Sequence, residues 1–465
     1  MSLHIFKELI TKREKNMAET ATRKNAIVVL AACVLVNLAI QILYVWSLIR
    51  VELTNPEGYF QEAFWTSGQA ALPFTLILVF FATGALIGGR LQDKFGPRWV
   101  AASGGLLVGT GLILSGVVSE SPVGVALTFG VLTGIGIGFG YGSVLPAAQK
   151  WFHTTKRGLI AGIVLGGFAL ASVIYAPITE WLLRTVGISW TFIYLGIGVA
   201  IVAFIAAQFV KNPPEGYQPE EPKNIEGAAE NKKLIDFDYK EMLKTRVFYL
   251  MFATFALVSS IGLMMIGNAS NITNFIIGRY ELEAPLIMGM AIGAFLVSFI
   301  AVINTAGRIA GGSLADRIGR INTLLIATAL QMANMLLFAY VYKSIVFIII
   351  GFALVGLCFG VFLTMFPAIT GDQYGLKNYG FNYGIMYMAY GAGALLAPAV
   401  APLLSGNRYL PDGTLNDAYS YTNVYLACAA LMIVALGLIM WLNAELKKRN
   451  VMLDEMREAK EAPVG

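Results

Sequence analysis

Charge is scarce in this chain. Only 13% of its 465 residues are charged, and it has two histidines and three cysteines. Soluble domains carry about 25% charged residues, so most of this chain lacks the polar surface that water requires. The cysteines (Cys33, Cys358, Cys428) lie far apart inside apolar runs, and no metal-ligand spacing or disulfide framework appears. No Walker-type phosphate loop is present, which argues against an ATP-driven pump. No nucleophile–base pair stands in a soluble domain, so no enzyme, cofactor or metal is expected. Carboxylates are missing from the middle of the long apolar runs. Asp93, Asp316 and Asp372 lie at one set of run ends, and Glu180 near another. An acidic proton relay inside a membrane is therefore not evident, and His153 reads as an ordinary loop residue.

What the chain has instead is apolar length. Hydrophobic residues make up 57%, glycines number 49, and the mean hydropathy is +0.69. Glycine suits helices that pack closely in lipid, and about 20 apolar residues cross one bilayer. Twelve spans are expected, at 26–49, 65–89, 98–118, 122–149, 158–183, 189–210, 247–277, 286–313, 321–341, 344–370, 380–404 and 420–443. The fold class is an all-α membrane protein with two pseudo-symmetric six-helix bundles, 26–210 and 247–445. Residues 1–25 form a basic extension, 211–246 a polar linker with a short interfacial helix, and 446–465 a tail. The N-terminus does not read as a signal peptide, and Met17 offers an alternative start. Placing both termini and the linker in the cytoplasm puts roughly 27 basic residues on that side and about five on the other. The net charge of +5 thus follows from topology and implies no nucleic-acid partner.

The halves repeat each other. Gly88-Gly-Arg90-Leu-Gln-Asp93-Lys94-Phe-Gly96-Pro-Arg98 follows the second span, and Gly311-Gly-Ser-Leu-Ala-Asp316-Arg317-Ile-Gly319-Arg320 follows the eighth. Pro146 matches Pro367, Gly158 matches Gly380 and Pro177 matches Pro398, all at an offset of about 221–223 residues. Such repeats favour alternating access over a channel. Asp93, Arg98, Asp316, Arg317 and Arg320 are candidate members of a cytoplasmic gate that pairs in one conformation and releases in another.

Arg308 stands inside the eighth span, while one repeat earlier Phe81 to Ala85 are uncharged. A cation there costs about 2.5–3.5 kcal/mol on insertion scales, which makes it a functional candidate. A guanidinium presents a planar fork that takes a carboxylate through two hydrogen bonds. Tyrosine hydroxyls can satisfy the remaining lone pairs, and Tyr44, Tyr141, Tyr387 and Tyr390 are the candidates. Asn304, and Asn271 in the row Asn268, Asn271 and Asn274, join them as polar candidates within spans, as does Gln41, one helical turn from Asn37. Each amide has an equally good alternative as an interhelical hydrogen bond.

Twelve spans with this duplicated turn resemble the major facilitator superfamily over nearly the whole chain. Three stretches resemble its oxalate:formate antiporter family, which is related to the monocarboxylate transporters. They are Tyr44-Val-Trp46-Ser47, Gly136-x-Gly138-x-Gly140-Tyr141 leading to Lys150-Trp151-Phe152, and Asn304-x-x-Gly307-Arg308. The resemblance implies that Arg308 contacts substrate carboxylate and that Tyr44 and Tyr141 line the cavity. It also shows a departure. Where the oxalate transporter of that family has Tyr-x-Ala-Lys-Gly, this chain reads Tyr387-Met-Ala-Tyr390-Gly391. One cation suits a monocarboxylate better than a small dicarboxylate. The expectation is a monomeric, multi-pass carrier of small organic anions in the cell (inner or plasma) membrane, moving a proton or a counter-anion as well. A ligand sensor built on the same fold is the alternative from another class.

Overall fold

A backbone in hydrocarbon must satisfy its own N–H and C=O groups, and a helix does so within one segment. The computed structural model describes residues 25–43, 45–54, 65, 67–214, 217, 219, 236–283, 286–287, 290–405 and 420–461. The first half contains α1 (Asn25–Ile40), α2 (Val45–Thr54), α3 (Ser67–Phe95), α4 (Pro97–Val117) and α5 (Pro122–Gln149). A helical run over Arg157–Ala207 is broken at Gly187, whose φ of 76° no other residue type adopts readily, giving α6 (157–186) and α7 (188–207). The linker carries α8 (Tyr239–Leu243). The second half contains α9 (Arg246–Gly267), α10 (Ala269–Arg279), α11 (Ile292–Ile318), α12 (Arg320–Tyr340), α13 (Ile345–Tyr374), α14 (Tyr379–Ser405) and α15 (Thr422–Glu461). Among the described residues, eight helical runs are long and apolar enough to cross a membrane, and the 51-residue run among them is two helices.

Several boundaries differ from the sequence expectation. The first span is not continuous. It opens between α1 and α2, where the Gln41 side chain accepts the Leu43 N–H at 3.3 Å in place of a helical carbonyl. The Trp46 indole then anchors α2 by donating to the Ala70 carbonyl at 3.0 Å. The seventh span breaks at Asn268, whose amide donates back to the Met264 carbonyl, a local bond that competes with helix continuation. A two-residue hairpin, β1 (Leu286–Ile287) with β2 (Met290–Ala291), precedes α11, so helix starts later than residue 286. Residues 126–133 of α5 are π-helical. At the other end, α15 runs on to Glu461, so most of the expected tail is helix.

Within the halves, α3 packs on α5, α4 on α7, α11 on α13 and α12 on α15; between them, α3 meets α14 and α6 meets α11. These two contacts are copies of one another. A Cβ on Gly89 would collide with the Gly380 carbonyl, and one on Gly312 would collide with the Gly158 carbonyl. Backbone-to-backbone approach of this kind is open only to glycine. Gly96 (φ 84°) and Gly319 (φ 90°) make matching turns into α4 and α12. Trp99, Trp181, Trp190 and Ile350 project outward, as lipid-facing positions should.

The linker is strapped to the second half. The Asp236 carboxylate accepts from the Leu376 and Lys377 N–H groups at 2.9 Å each. The Phe237 carbonyl accepts from the Asn378 and Asn382 amides. The Arg449 guanidinium covers the rings of Phe237 and Tyr374 at 4.7 and 5.0 Å. The face carrying these contacts is the linker face below.

Because the halves touch through unsubstituted glycines, Gly312→Leu should wedge the linker face apart. Spin labels on Lys94→Cys and Arg317→Cys, both exposed, should show a wider separation in the wedged protein. An unchanged distance distribution would contradict this account.

Candidate functional site

Helix α11 carries Arg308 into the interior, where it is 5% exposed. Its Nε donates to the Asn304 Oδ1 one turn earlier at 2.8 Å, and its Nη1 donates to the Leu165 carbonyl of α6 at 2.9 Å. Both acceptors are neutral. Among the described residues no carboxylate pairs with Arg308. Two hydrogen bonds fix the plane of the guanidinium, and its other N–H groups remain for an incoming anion.

An aromatic box surrounds this charge at the junction of the halves. The Tyr141 ring of α5 meets Phe81 of α3 and Phe168 of α6 at 5.2 Å each, and Tyr387 of α14 at 5.0 Å. Tyr390 stacks on Tyr387 at 5.0 Å and faces Phe255 of α9 at 6.3 Å. The Tyr141 and Tyr383 hydroxyls are 3.5 Å apart. Tyr141, Tyr383 and Tyr387 all lie in the field of Arg308.

The structure thus brings Arg308, Asn304, Tyr141, Tyr387 and Tyr390 together. Gln41 is turned to its own backbone at the break after α1. Tyr44 and the side chain of Asn271 lie outside the described residues. In the amide row, Asn268 bonds its own helix and Asn274 is exposed, so the row does not act as one polar stripe. Tyr383, Phe81, Phe168 and Phe255 are members that sequence reasoning missed. The spacing Tyr379-x3-Tyr383-x3-Tyr387 was the available signal, since it places three rings on one helix face.

The duplicated turns do different chemistry from simple acid–base pairing. Asp316 accepts from the Gly158 and Leu159 N–H groups at 3.0 and 2.8 Å, capping the first turn of α6. Asp93 accepts from the Gly380 and Phe381 N–H groups at 3.2 and 2.9 Å, capping α14. Each aspartate therefore holds the N-terminus of a helix in the opposite half, where the unpaired N–H groups and the helix dipole favour an anion. Arg320 does pair with Asp316, at 3.2 Å, and also with Asp372, at 2.5 Å. Asp372 in turn reaches Arg157 of the first half at 3.1 Å. Two expected members do not join. Arg98 bonds the Gln208 side chain within its own half, and Arg317 is exposed without an ion pair among the described residues. The repeat explains the first difference: in the stretch equivalent to Asp372 stand Lys150 and Trp151, neither of which carries a countercharge for Arg98. Burial holds the Lys150 ammonium below the usual lysine range, while Asp93 and Asp236 pull it back up.

A charge-assisted cap of this kind contributes up to about 2 kcal/mol when partly buried. Asp316→Asn and Asp93→Asn should each weaken the contact between halves. Amide hydrogen exchange should rise at both helix starts, 157–161 and 379–383, in either variant, because the two caps open together. A rise confined to the helix whose cap was altered would show that they open separately.

Comparison with known proteins agrees with this architecture. The sequence pattern of the Major Facilitator Superfamily matches residues 27–340 and 301–463. An oxalate:formate antiporter from Oxalobacter formigenes is 28% identical over 367 residues, covering 77% of this chain and 80% of that protein. Monocarboxylate transporter 12 from Rattus norvegicus is 25% identical over 427 residues, covering 87% and 82%. Among solved structures, the proton:xylose symporter XylE superposes with a TM-score of 0.60 at 13% identity, over 91% of this chain and 96% of that one. That likeness concerns the fold. With the family pattern running through both halves, the chain belongs to the major facilitator superfamily of membrane transporters.

Proposed function

We propose that the protein is a secondary transporter of small carboxylates, principally monocarboxylates such as lactate, acetate or formate. The observation that carries this reading is Arg308, a buried guanidinium at the junction of the halves with only neutral partners among the described residues. A carboxylate supplies the missing countercharge and accepts a two-pronged bond. Tyr141, Tyr387 and Tyr390 shape the site and orient the substrate, and their rings exclude water, which strengthens the charge contact. The two halves rock about the site, with the linker face and both termini in the cytoplasm. Asp93, Asp316, Arg320, Asp372 and Arg157 form the gate on that side. Transport is coupled to a proton or to an anion moving the other way.

A second reading, exchange of a dicarboxylate such as oxalate for formate, is favoured by the likeness to the oxalate:formate antiporter. Tyr390 weighs against it. A small dianion calls for a second cation, and the residue there is a neutral ring stacked on Tyr387.

Arg308→Ala should lower proteoliposome uptake at least tenfold while the protein stays folded, as judged by its thermal melt. Arg308→Lys should fare little better, since an ammonium keeps the charge but loses the planar fork. Wild-type uptake in a folded Arg308→Ala protein would refute the assignment. Tyr390→Lys should move the preference toward oxalate in a competition assay against acetate and lactate; an unchanged ranking would remove Tyr390 from the site.

A further inference from the structure

The tyrosines of α14 continue past the Arg308 site. Tyr379 stacks on Tyr383 at 5.7 Å with ring planes 6° apart, and Tyr383 meets Tyr387 at 5.8 Å. Eight residues of helix cover about 12 Å, so this face runs from the aromatic box down to the linker face. Its lowest member, Tyr379, is fully buried, and its hydroxyl donates to the Pro367 carbonyl at 2.8 Å. Tyr379 lies in the field of Arg157 and alongside Gln149, the last residue of α5.

Gln149 is the unexplained member. It is fully buried and lies within weak hydrogen-bonding reach of the Tyr379 hydroxyl, but neither of its amide atoms makes a well-formed hydrogen bond among the described residues. Burying an amide unpaired is costly. Arg157, 3% exposed, is similar in part: it meets Asp372, but its Nε has no partner among the described residues. Two groups of the first half with N–H donors to spare, Gln149 and Arg157, thus sit beside the Tyr379 hydroxyl of the second, directly beneath the Arg308 site.

We propose that Gln149, Tyr379 and Arg157 form a second carboxylate subsite on the linker side of Arg308, which the substrate occupies as it passes through that face. The proposal rests on the carboxylate-transport reading above. When the halves part at the linker face, Asp372 stays with the second half, to which α13 belongs and where Arg320 also pairs with it. Arg157 moves with the first half and loses its counter-ion. Its guanidinium and the Gln149 amide then face a carboxylate arriving from above. The Tyr379 hydroxyl turns from the Pro367 carbonyl to donate from the opposite wall, and Tyr383 bridges the interval from Arg308. Closing the face returns Asp372 to Arg157 and displaces the anion.

The test measures KM separately from each face in oriented proteoliposomes, with radiolabelled formate, acetate, lactate and oxalate run singly. Gln149→Leu and Tyr379→Phe should each raise KM at the linker face about fivefold, the effect of losing one neutral hydrogen bond. KM at the opposite face should stay as in the wild type. Gln149→Glu, of the same size but anionic, should impair entry from the linker face more than Gln149→Leu. Equal changes at both faces would mean general damage, and opposite changes a shifted resting orientation; either overturns the proposal, as does a wild-type KM at the linker face. Arg308→Lys separates this from the primary reading, since it should raise KM at both faces. If none of the four anions is exchanged by the wild type, or Arg308→Lys leaves both KM values unchanged, the carboxylate reading itself has failed.

Discussion

A carboxylate at the end of a helix in one half accepts two backbone N–H groups from the first turn of a helix in the other. This happens twice, with Asp316 on α6 and Asp93 on α14. The contact contributes up to about 2 kcal/mol when partly buried, and its donors can return to water when it breaks. Glycine at 89, 158, 312 and 380 is required by the same geometry: only bare backbone brings the helix start close enough to the carboxylate. The capped helices carry the tyrosines of α14 and the Leu165 carbonyl that fixes Arg308. Closing the caps therefore also sets the positions around the buried guanidinium.

The duplicated frame and the functional charge obey different rules. The frame needs both copies, since one hinge contact alone would let the halves pivot. The charge needs only one. Arg308 has Ala85 as its equivalent in the first half, and a second cation there would face the first across the low-dielectric junction, where like charges repel strongly. A lopsided centre inside a symmetric shell is the result.

Much of this was legible in the sequence for a simple reason. Apolar length, helix-breaking turns and a cation within an apolar run are local properties, and lipid makes each of them decisive. The breaks at residues 41–43 and at Asn268 were not legible, because no proline or positive-φ glycine marks them; side-chain amides compete there with the helix. The partners of Asp93 and Asp316 were hidden for another reason. A basic residue next to an aspartate invites pairing, but the winning acceptor–donor contacts lie far away in the chain and involve backbone, which carries no sequence signature. Arg98 shows the limit of symmetry as a guide: its motif position predicts the behaviour of Arg320, yet the first half has no carboxylate in place of Asp372 to attract it.

That same difference makes the two halves unlike partners. The ion pair across the halves needs Arg157 from one and Asp372 from the other. At the equivalent places in the repeat stand Tyr379 and, for Asp372, the stretch Lys150-Trp151, with no carboxylate. Two identical copies of either half, assembled about the same axis, would have no such pair: one assembly would offer arginines without a carboxylate to meet, the other aspartates facing tyrosines. The two halves are built on one plan, yet in this ion pair they act as a lock and its own key: a copy of either half would keep the aspartate cap and lose the pair.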